Sequence, residues 1–280
     1  MQRIPFHHSW PYVAFVLVTM TCTGCVSLSQ STVGLVEETI LYQPSNELDY
    51  ARVPSELEYE EVEIQTADGV QIEGWYCPVE NPRAVVLFAH GNAGNLAHRS
   101  DLLLTWTKRL QVSVLAFDYR GYGNSEGTPS EAGLVADARA ARAWLAKREG
   151  IDEQQVVLYG RSLGGAVMVQ VAAEDGARGL ILESTFDSLS ELADSKFPML
   201  GVGQSLSNQY PSAELIGNYR GPLLMAHGTD DNTIPIEHGR KLFAAANQPK
   251  QFIKINEADH NWFPEFSYLL TVSRFLDELP

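Results

Sequence analysis

The fold of this chain is decided by the stretch VVLYGRSLGG, which occupies residues 156–165. Four β-prone residues precede Gly160, and the run AVMVQVAA at 166–173 predicts a tightly packed helix. The pattern therefore predicts a buried strand that turns sharply into a helix, with Ser162 at the apex. Glycine at 160 and 164 would let backbone and a neighbouring strand approach closely. A serine held at such a turn is a candidate nucleophile, and the alternative is a serine in an ordinary strand-to-helix turn.

Length and composition are those of a folded protein with one sizeable core. The chain has 280 residues, of which 45% are hydrophobic and 20% charged, and α/β proteins of this length are often single domains. The formal net charge is −15, which argues against a nucleic-acid partner because phosphate binding needs clustered Lys and Arg. Cys22 and Cys25 lie in the N-terminal segment described next, which leaves Cys77 without a predicted disulfide partner.

The first 24 residues have the layout of a secretory signal. Arg3 precedes an apolar run at 12–20, which is too short to span a membrane comfortably, and small residues lead up to Gly24 and Cys25. This junction resembles a bacterial lipoprotein signal, in which the cysteine becomes the lipidated N-terminus. We therefore expect export, with a lipid anchor on Cys25 at the periplasm-facing membrane of the cell envelope. The alternative is a soluble periplasmic or secreted protein, cleaved near Gly24.

The rest of the chain alternates predicted strands and helices. A tether and N-terminal segment at 25–54 precedes the main domain, which we place at 55–280. Strands are predicted at 57–66, 70–76, 84–89, 112–117, 156–159, 179–182, 222–226 and 251–255, and helices at 96–110, 130–148, 166–173, 236–247 and from about 262. This alternation predicts an α/β fold, with a mostly parallel sheet of about eight strands and helices on both faces. A short insert at 185–220, apolar on one side, either caps the site or seals the sheet.

A serine nucleophile needs a base that takes its proton and an acid that orients the base. His260 is the histidine in a late loop that is free to reach the turn at Ser162. The other histidines lie in the leader, in predicted helices or in a His-Gly step at a strand end: His7, His8, His98, His238, His90 and His227. Asp231, in the loop after strand 222–226, is the predicted acid. Asp230, Glu183 and Asp259 are the alternatives.

The loop HGNAGN at 90–95 is a candidate for stabilising an oxyanion. A glycine-flanked loop between strand and helix can turn backbone N–H groups towards a ligand. The first donor would be the N–H of Leu163, at the start of the helix after Ser162, and a second donor is needed. We assign it to the backbone of Asn92, with Ala93 as the alternative. His90 is interpreted as a brace for this loop.

Five motifs together resemble those of the α/β-hydrolase superfamily, and more narrowly its serine aminopeptidase-like and protein-depalmitoylase-like members. They are HGNAGN at 90–95, DYRGYGNS at 118–125, GRSLGG at 160–165, DNTIP at 231–235 and DHN at 259–261. The resemblance covers roughly residues 55–280. It implies an α/β-hydrolase fold, a catalytic triad of Ser162, Asp231 and His260, and an oxyanion hole at Leu163 and Asn92. It implies no particular substrate.

These residues predict a serine hydrolase that cleaves carboxylic ester or thioester bonds of an acyl or other small-molecule substrate. The reaction would pass through an acyl-enzyme and would require no metal or organic cofactor. Two alternatives stay open. One is an exopeptidase of the same fold, which would need a carboxylate pair to hold a substrate amine. The other is a lipid-anchored binding or scaffold protein without turnover.

Overall fold

A computed structural model describes residues 41–198 and 201–280. The strands in these residues are β1 (Gln43–Pro44), β2 (Glu60–Gln65), β3 (Gln71–Cys77), β4 (Val85–Ala89), β5 (Ala93–Gly94), β6 (Ser113–Phe117), β7 (Val157–Arg161), β8 (Gly179–Glu183), β9 (Leu223–Gly228) and β10 (Lys250–Ile255). The helices are α1 (Ser100–Leu110), α2 (Glu131–Glu149), α3 (Leu163–Asp175), α4 (Leu189–Lys196), α5 (Ser212–Leu215), α6 (Ile236–Ala245) and α7 (Phe266–Asp277). Short 3₁₀ turns lie at Tyr50–Arg52, Leu96–Arg99, Glu153–Gln155, Val202–Ser205 and Ile216–Asn218.

Eight of these strands form one sheet in the order β10-β9-β8-β7-β4-β6-β3-β2. Strand β3 is antiparallel to both of its neighbours, and the other adjacent pairs are parallel. The predicted α/β fold with a mostly parallel sheet of about eight strands is confirmed. The two short strands β1 and β5 pair with each other in parallel, outside the main sheet.

The core lies in two layers, one on each face of the sheet. In β4, Leu87 and Ala89 belong to the layer that includes α2 and α3, whereas Val86 and Phe88 belong to the layer that includes α1 and α7. Successive strand residues point to opposite faces, so a strand that is covered on both faces must be apolar throughout. This is why the strand was recognisable in the sequence as an uninterrupted apolar run.

The insert at 185–220 both seals the sheet and borders the loop that carries Asp231. Phe186, Tyr210 and Ile216 are buried in the layer of α2 and α3. At the end of α4, the Lys196 ammonium donates to the backbone carbonyl of Asn232. The burial supports the arrangement in which the insert seals the sheet, and a cap over the site stays a prediction.

Residues 41–54 also pack against the main domain. Tyr42 is 4% exposed and lies in the layer of α2 and α3, and Leu48 and Val53 pack against the other layer. The predicted leader at 1–24 and the predicted lipidation site Cys25 lie outside the described residues. Within positions 41–198 and 201–280, no helix combines the length and the apolar character needed to cross a bilayer.

Candidate active site

Ser162 lies at the turn between β7 and α3, at the carboxyl edge of the sheet. Its backbone, with φ of 54° and ψ of −121°, lies in a region that residues with side chains rarely adopt. The turn depends on the glycines two residues before and two residues after Ser162. A Cβ on Gly160 would lie 2.4 Å from the Gly164 carbonyl oxygen, and one on Gly164 would lie 2.1 Å from the Ala89 carbonyl oxygen. Strand β4 and helix α3 therefore approach each other as closely as backbone allows.

Two neighbouring strands bring an imidazole and a carboxylate to Ser162. His260, in the loop after β10, places Nε2 3.1 Å from Ser162 Oγ. Its Nδ1 lies 2.7 Å from Oδ2 of Asp231, in the loop after β9. Because a carboxylate accepts and does not donate, Nδ1 carries the proton and the Nε2 lone pair faces the serine hydroxyl. The arrangement can remove a proton from Ser162.

The environment of Asp231 keeps it ionised. Burial opposes its ionisation, but hydrogen bonds from His227 and His260 and from the Ile234 N–H outweigh burial and hold the Asp231 pKa well below its ordinary value. Its Oδ1 accepts from the backbone N–H groups of Thr233 and Ile234, at 2.9 and 2.7 Å. The charge that orients His260 is thus fixed in position by backbone donors.

Arg161 ties the histidine loop to the turn at Ser162. Its Nη2 donates to the backbone carbonyl of His260 at 3.1 Å and to that of Trp262 at 2.6 Å. The guanidinium carbon also lies 5.4 Å from the centre of the Trp262 ring, within the range of a cation–π contact. Since Arg161 immediately precedes Ser162, one side chain holds the loop of His260 next to Ser162.

The loop after β4 passes directly beside Ser162. A Cβ on Gly91 would lie 3.4 Å from the Ser162 Cβ, so residues 91–93 border the place where an oxyanion would form. The N–H of Asn92 has no hydrogen-bond partner within the described residues. Leu163 is the first residue of α3, and first-turn N–H groups have no acceptor inside their own helix. These two N–H groups can bind developing negative charge.

Comparison with known proteins places the chain in a family. The family model described as serine aminopeptidase, S33, matches residues 80–215. The uncharacterised protein YfhR of Escherichia coli is 34% identical over 268 residues, which are 92% of this chain and 90% of YfhR. The α/β hydrolase domain-containing protein WAV2 of Arabidopsis thaliana is 33% identical over 232 residues, 75% of each chain. The chain belongs to the α/β-hydrolase superfamily. An esterase of Pyrococcus furiosus shares the fold, with a TM-score of 0.69 at 21% identity over 85% of this chain and 98% of that chain.

Membership of the α/β-hydrolase superfamily supports hydrolysis as the class of activity. As in the arrangement that the α/β-hydrolase fold is known for, the acid and the histidine follow the serine along the chain, on loops after neighbouring strands. The structure brings together Ser162, Asp231 and His260. Leu163 follows Ser162 along the chain, and Asn92 follows Gly91, which borders Ser162. Of the alternative acids, Asp230 and Asp259 are exposed, and their carboxylates accept hydrogen bonds from Thr229 and Asn261 instead of from the His260 ring.

Glu183, the remaining alternative acid, lies beneath the turn and not beside the base. Its side chain is fully buried and accepts a hydrogen bond from the Tyr159 hydroxyl at 2.8 Å. Arg161 Nη1 lies 3.9 Å from its Oε2. Burial raises the Glu183 pKa above its ordinary value. Its backbone carbonyl accepts from the Ser162 N–H, so β8 supports the turn from below.

His90 braces the loop after β4. It is fully buried, its Nε2 lies 3.1 Å from Asp118 Oδ1, and its Nδ1 lies 2.7 Å from the Gly91 carbonyl oxygen. Both ring nitrogens of His90 therefore contact groups other than Ser162. The hydroxyl of Tyr119 donates to the His90 carbonyl, which fixes the backbone of the same residue.

Sequence reasoning missed the part that His227 plays in the site. His227 Nε2 donates to the Ile234 carbonyl at 2.8 Å and lies 3.3 Å from Asp231 Oδ2. A Cβ on Gly239 of α6 would lie 2.5 Å from His227 Nδ1, so that glycine makes room for the ring. The spacing of four residues between His227 and Asp231 was the available signal, but it reveals nothing about side-chain direction at a strand end.

Proposed function

We propose that the protein is a serine hydrolase that cleaves acyl esters or thioesters through a covalent intermediate on Ser162. The observation that carries this proposal is the continuous relay of hydrogen bonds, 3.1 Å from Ser162 to His260 and 2.7 Å from His260 to Asp231. A serine hydroxyl is a weak nucleophile by itself, and an oriented imidazole is the group that activates it in acyl transfer.

In the proposed reaction, Ser162 Oγ attacks the substrate carbonyl while His260 Nε2 takes its proton. The N–H groups of Leu163 and Asn92 donate to the oxyanion of the tetrahedral intermediate. As the intermediate collapses, His260 protonates the leaving alcohol or thiol. Water, deprotonated by the same histidine, then hydrolyses the acyl-enzyme and restores the free serine. Asp231 stabilises the imidazolium at each of these steps.

Turnover of p-nitrophenyl esters and acyl thioesters of increasing chain length tests the proposal. We expect turnover by the wild type and a loss of at least about 10³-fold in Ser162→Ala, because the nucleophile is gone. Ser267→Ala, an exposed serine at the start of α7, is the matched control and should keep full activity. No turnover in the wild type, or full turnover in Ser162→Ala, would contradict the proposal.

An exopeptidase is the second candidate, and the match to a family model described as serine aminopeptidase favours it. The same enzyme preparation is assayed with aminoacyl-coumarin amides. We expect esters to be cleaved faster, because an ester carbonyl is the more reactive substrate for the same relay. If amides were cleaved faster than esters, the exopeptidase would be the better assignment. A scaffold without turnover is distinguished by a fluorophosphonate, which should label Ser162 of a working hydrolase.

We also propose that the mature chain is held at a membrane by lipid on Cys25. The Gly24-Cys25 junction after a short apolar run supports this location. Several acyl chains on one cysteine would anchor the protein stably, whereas a single chain gives marginal binding.

A further inference from the structure

The backbone at 41–45 is hydrogen-bonded to the loop that carries the proposed oxyanion donor. Strand β1 pairs in parallel with β5, with Gln43 opposite Ala93 and Pro44 opposite Gly94. The Gln43 N–H donates to the Asn92 carbonyl at 3.0 Å, and the Ser45 N–H donates to the Gly94 carbonyl at 3.2 Å. This segment, which we call the strap (residues 41–45), thus contacts the loop on both sides of Ala93.

The strap also binds the side chains of the loop. Asn92 Nδ2 donates to the Leu41 carbonyl at 3.0 Å, and Asn95 Nδ2 donates to the Ser45 carbonyl at 3.0 Å. The Ser45 carbonyl also accepts from the Gly123 N–H at 3.1 Å. The strap is in turn anchored by Tyr42, whose buried hydroxyl donates to Asn208 at 2.9 Å. These contacts fix the strap between the main core and the loop.

Both possible oxyanion donors are oriented by this arrangement. The Asn92 carbonyl accepts from the Gln43 N–H and, at 2.7 Å, from the Tyr122 hydroxyl. Because the peptide unit is planar, fixing this carbonyl also fixes the N–H of Ala93, which points the opposite way. Because both the carbonyl and the side chain of Asn92 are hydrogen-bonded, the N–H of Asn92 is also restricted in its rotation. A loop with half-buried residues at 91–94 would otherwise be free to turn these groups away from Ser162.

We infer that the strap is a positioning element of the active site, which holds the oxyanion loop in its working orientation. The inference rests on the proposed function, since it requires that the loop stabilise an oxyanion. The strap lies in the stretch that follows the proposed lipidation site, so the catalytic unit begins before residue 55. Gln43 itself acts through its backbone N–H and touches no substrate.

The pair Gln43→Pro and Gln43→Ala tests the inference, because proline removes the N–H while alanine keeps it. We expect kcat for a p-nitrophenyl ester to fall about 10- to 100-fold in Gln43→Pro with KM within about threefold, since a misplaced donor is lost in the transition state. Binding of a trifluoromethyl ketone, which forms a tetrahedral adduct with Ser162, should weaken by a similar factor. Gln43→Ala keeps the N–H, so its kcat and ketone affinity should stay about 10- to 100-fold above those of Gln43→Pro, and all three proteins should unfold at similar temperatures.

If Gln43→Pro folds poorly, Tyr122→Phe tests the positioning of the same Asn92 carbonyl by another substitution. It removes the other donor to Asn92 and leaves the strap intact, so kcat and ketone affinity should fall together while KM is retained. Equal kcat in Gln43→Pro and Gln43→Ala, or losses of kcat that follow only the loss of folded protein, would overturn the inference. An inactive wild type that a fluorophosphonate does not label would instead overturn the proposed function.

Discussion

At the scale of single residues, the site depends on one buried carboxylate held by several donors. Asp231 receives hydrogen bonds from two backbone N–H groups and contacts two histidines. Its side chain is fully buried, whereas that of His260 is 13% exposed. The buried carboxylate of Asp231 therefore orients the proposed base, His260. A substrate would approach from the side of the His260 imidazole and Ser162.

Replacing the acid tests this division of roles. Asp231→Asn should lower kcat about 10³- to 10⁴-fold, because an amide favours the wrong tautomer of His260 while the geometry is retained. Asp230→Asn, the exposed neighbour, should change kcat less than twofold. Steady-state kinetics on one ester compare the two variants. Equal effects of the two substitutions would show that the assignment of the acid is wrong.

Glu183 predicts a pH dependence of stability. In the unfolded chain it should lose its proton near its ordinary pKa of 4.5, whereas burial raises the pKa of Glu183 in the folded protein. Above pH 4.5 the folded state therefore binds more protons than the unfolded state does. The free energy of unfolding falls as the pH rises from 4.5 towards the folded pKa of Glu183. Glu183→Gln removes this effect. Measured between pH 4 and pH 8, its unfolding temperature relative to the wild type should rise from about pH 4.5 and level off above the folded pKa of Glu183.

Thermal unfolding by circular dichroism across that pH range measures the difference. Glu80→Gln, at an exposed position, is the control and should follow the wild type at every pH. A gap between Glu183→Gln and wild type that stays constant with pH would argue that the buried carboxyl does not titrate as described.

At the scale of secondary-structure elements, the site is set by how closely β4, β7 and α3 approach. Gly164→Ala would place a Cβ against the backbone of Ala89, and backbone cannot yield as a flexible side chain can. We expect a loss of about 3 kcal/mol or more in the free energy of unfolding, together with loss of fluorophosphonate labelling. Gly217→Ala, whose Cβ would meet only Ala245 at 3.8 Å, should stay within about 0.5 kcal/mol. Urea unfolding that finds similar stabilities for both variants would contradict the packing argument.

Much at this scale was predictable from the sequence. The buried strands are short apolar runs, and the turn at Ser162 combines strand, glycines and helix in one stretch. The final helix was predicted from about Trp262 but begins at Phe266. Residues 262–265 instead form a loop, in which the Trp262 carbonyl accepts from Arg161 and the Trp262 indole donates to Ser184 at 3.0 Å. A contact between distant residues leaves no periodic signal in sequence.

The sequence predicts the side chains that the structure brings together in the candidate site, but it does not predict the residues that support them. Ser162, Asp231 and His260 were selected because residue type, loop position and chain order restrict the choice. Arg161 occupies a variable position of its motif, so nothing in the sequence separates it from a surface arginine. The strap was not predictable from the sequence either, for a physical reason. It binds mainly through backbone groups, and its two-residue strand has exposed side chains.

At the scale of the whole molecule, the chain combines a hydrolase domain with a predicted membrane anchor. Cys25→Ser should move the protein from the membrane fraction to the soluble fraction, because it removes the proposed site of acylation. Activity on a water-soluble ester should stay within about twofold of the wild type, since Cys25 lies N-terminal to the strap. Fractionation followed by intact-mass analysis checks both points. A wild type without attached acyl groups would show that the leader was misread.

The proposed acyl-enzyme is tested by the mass of the peptide that contains Ser162, measured while the ester is being hydrolysed. The protein is mixed with a p-nitrophenyl ester, quenched in acid at short times and digested, and the peptide containing Ser162 is analysed by mass spectrometry. We predict one added acyl group on Ser162 in the wild type, formed together with a burst of nitrophenol, and none in Ser162→Ala. Turnover of the ester with no acyl group on Ser162 at any time, or with the acyl group on another residue, would contradict the account.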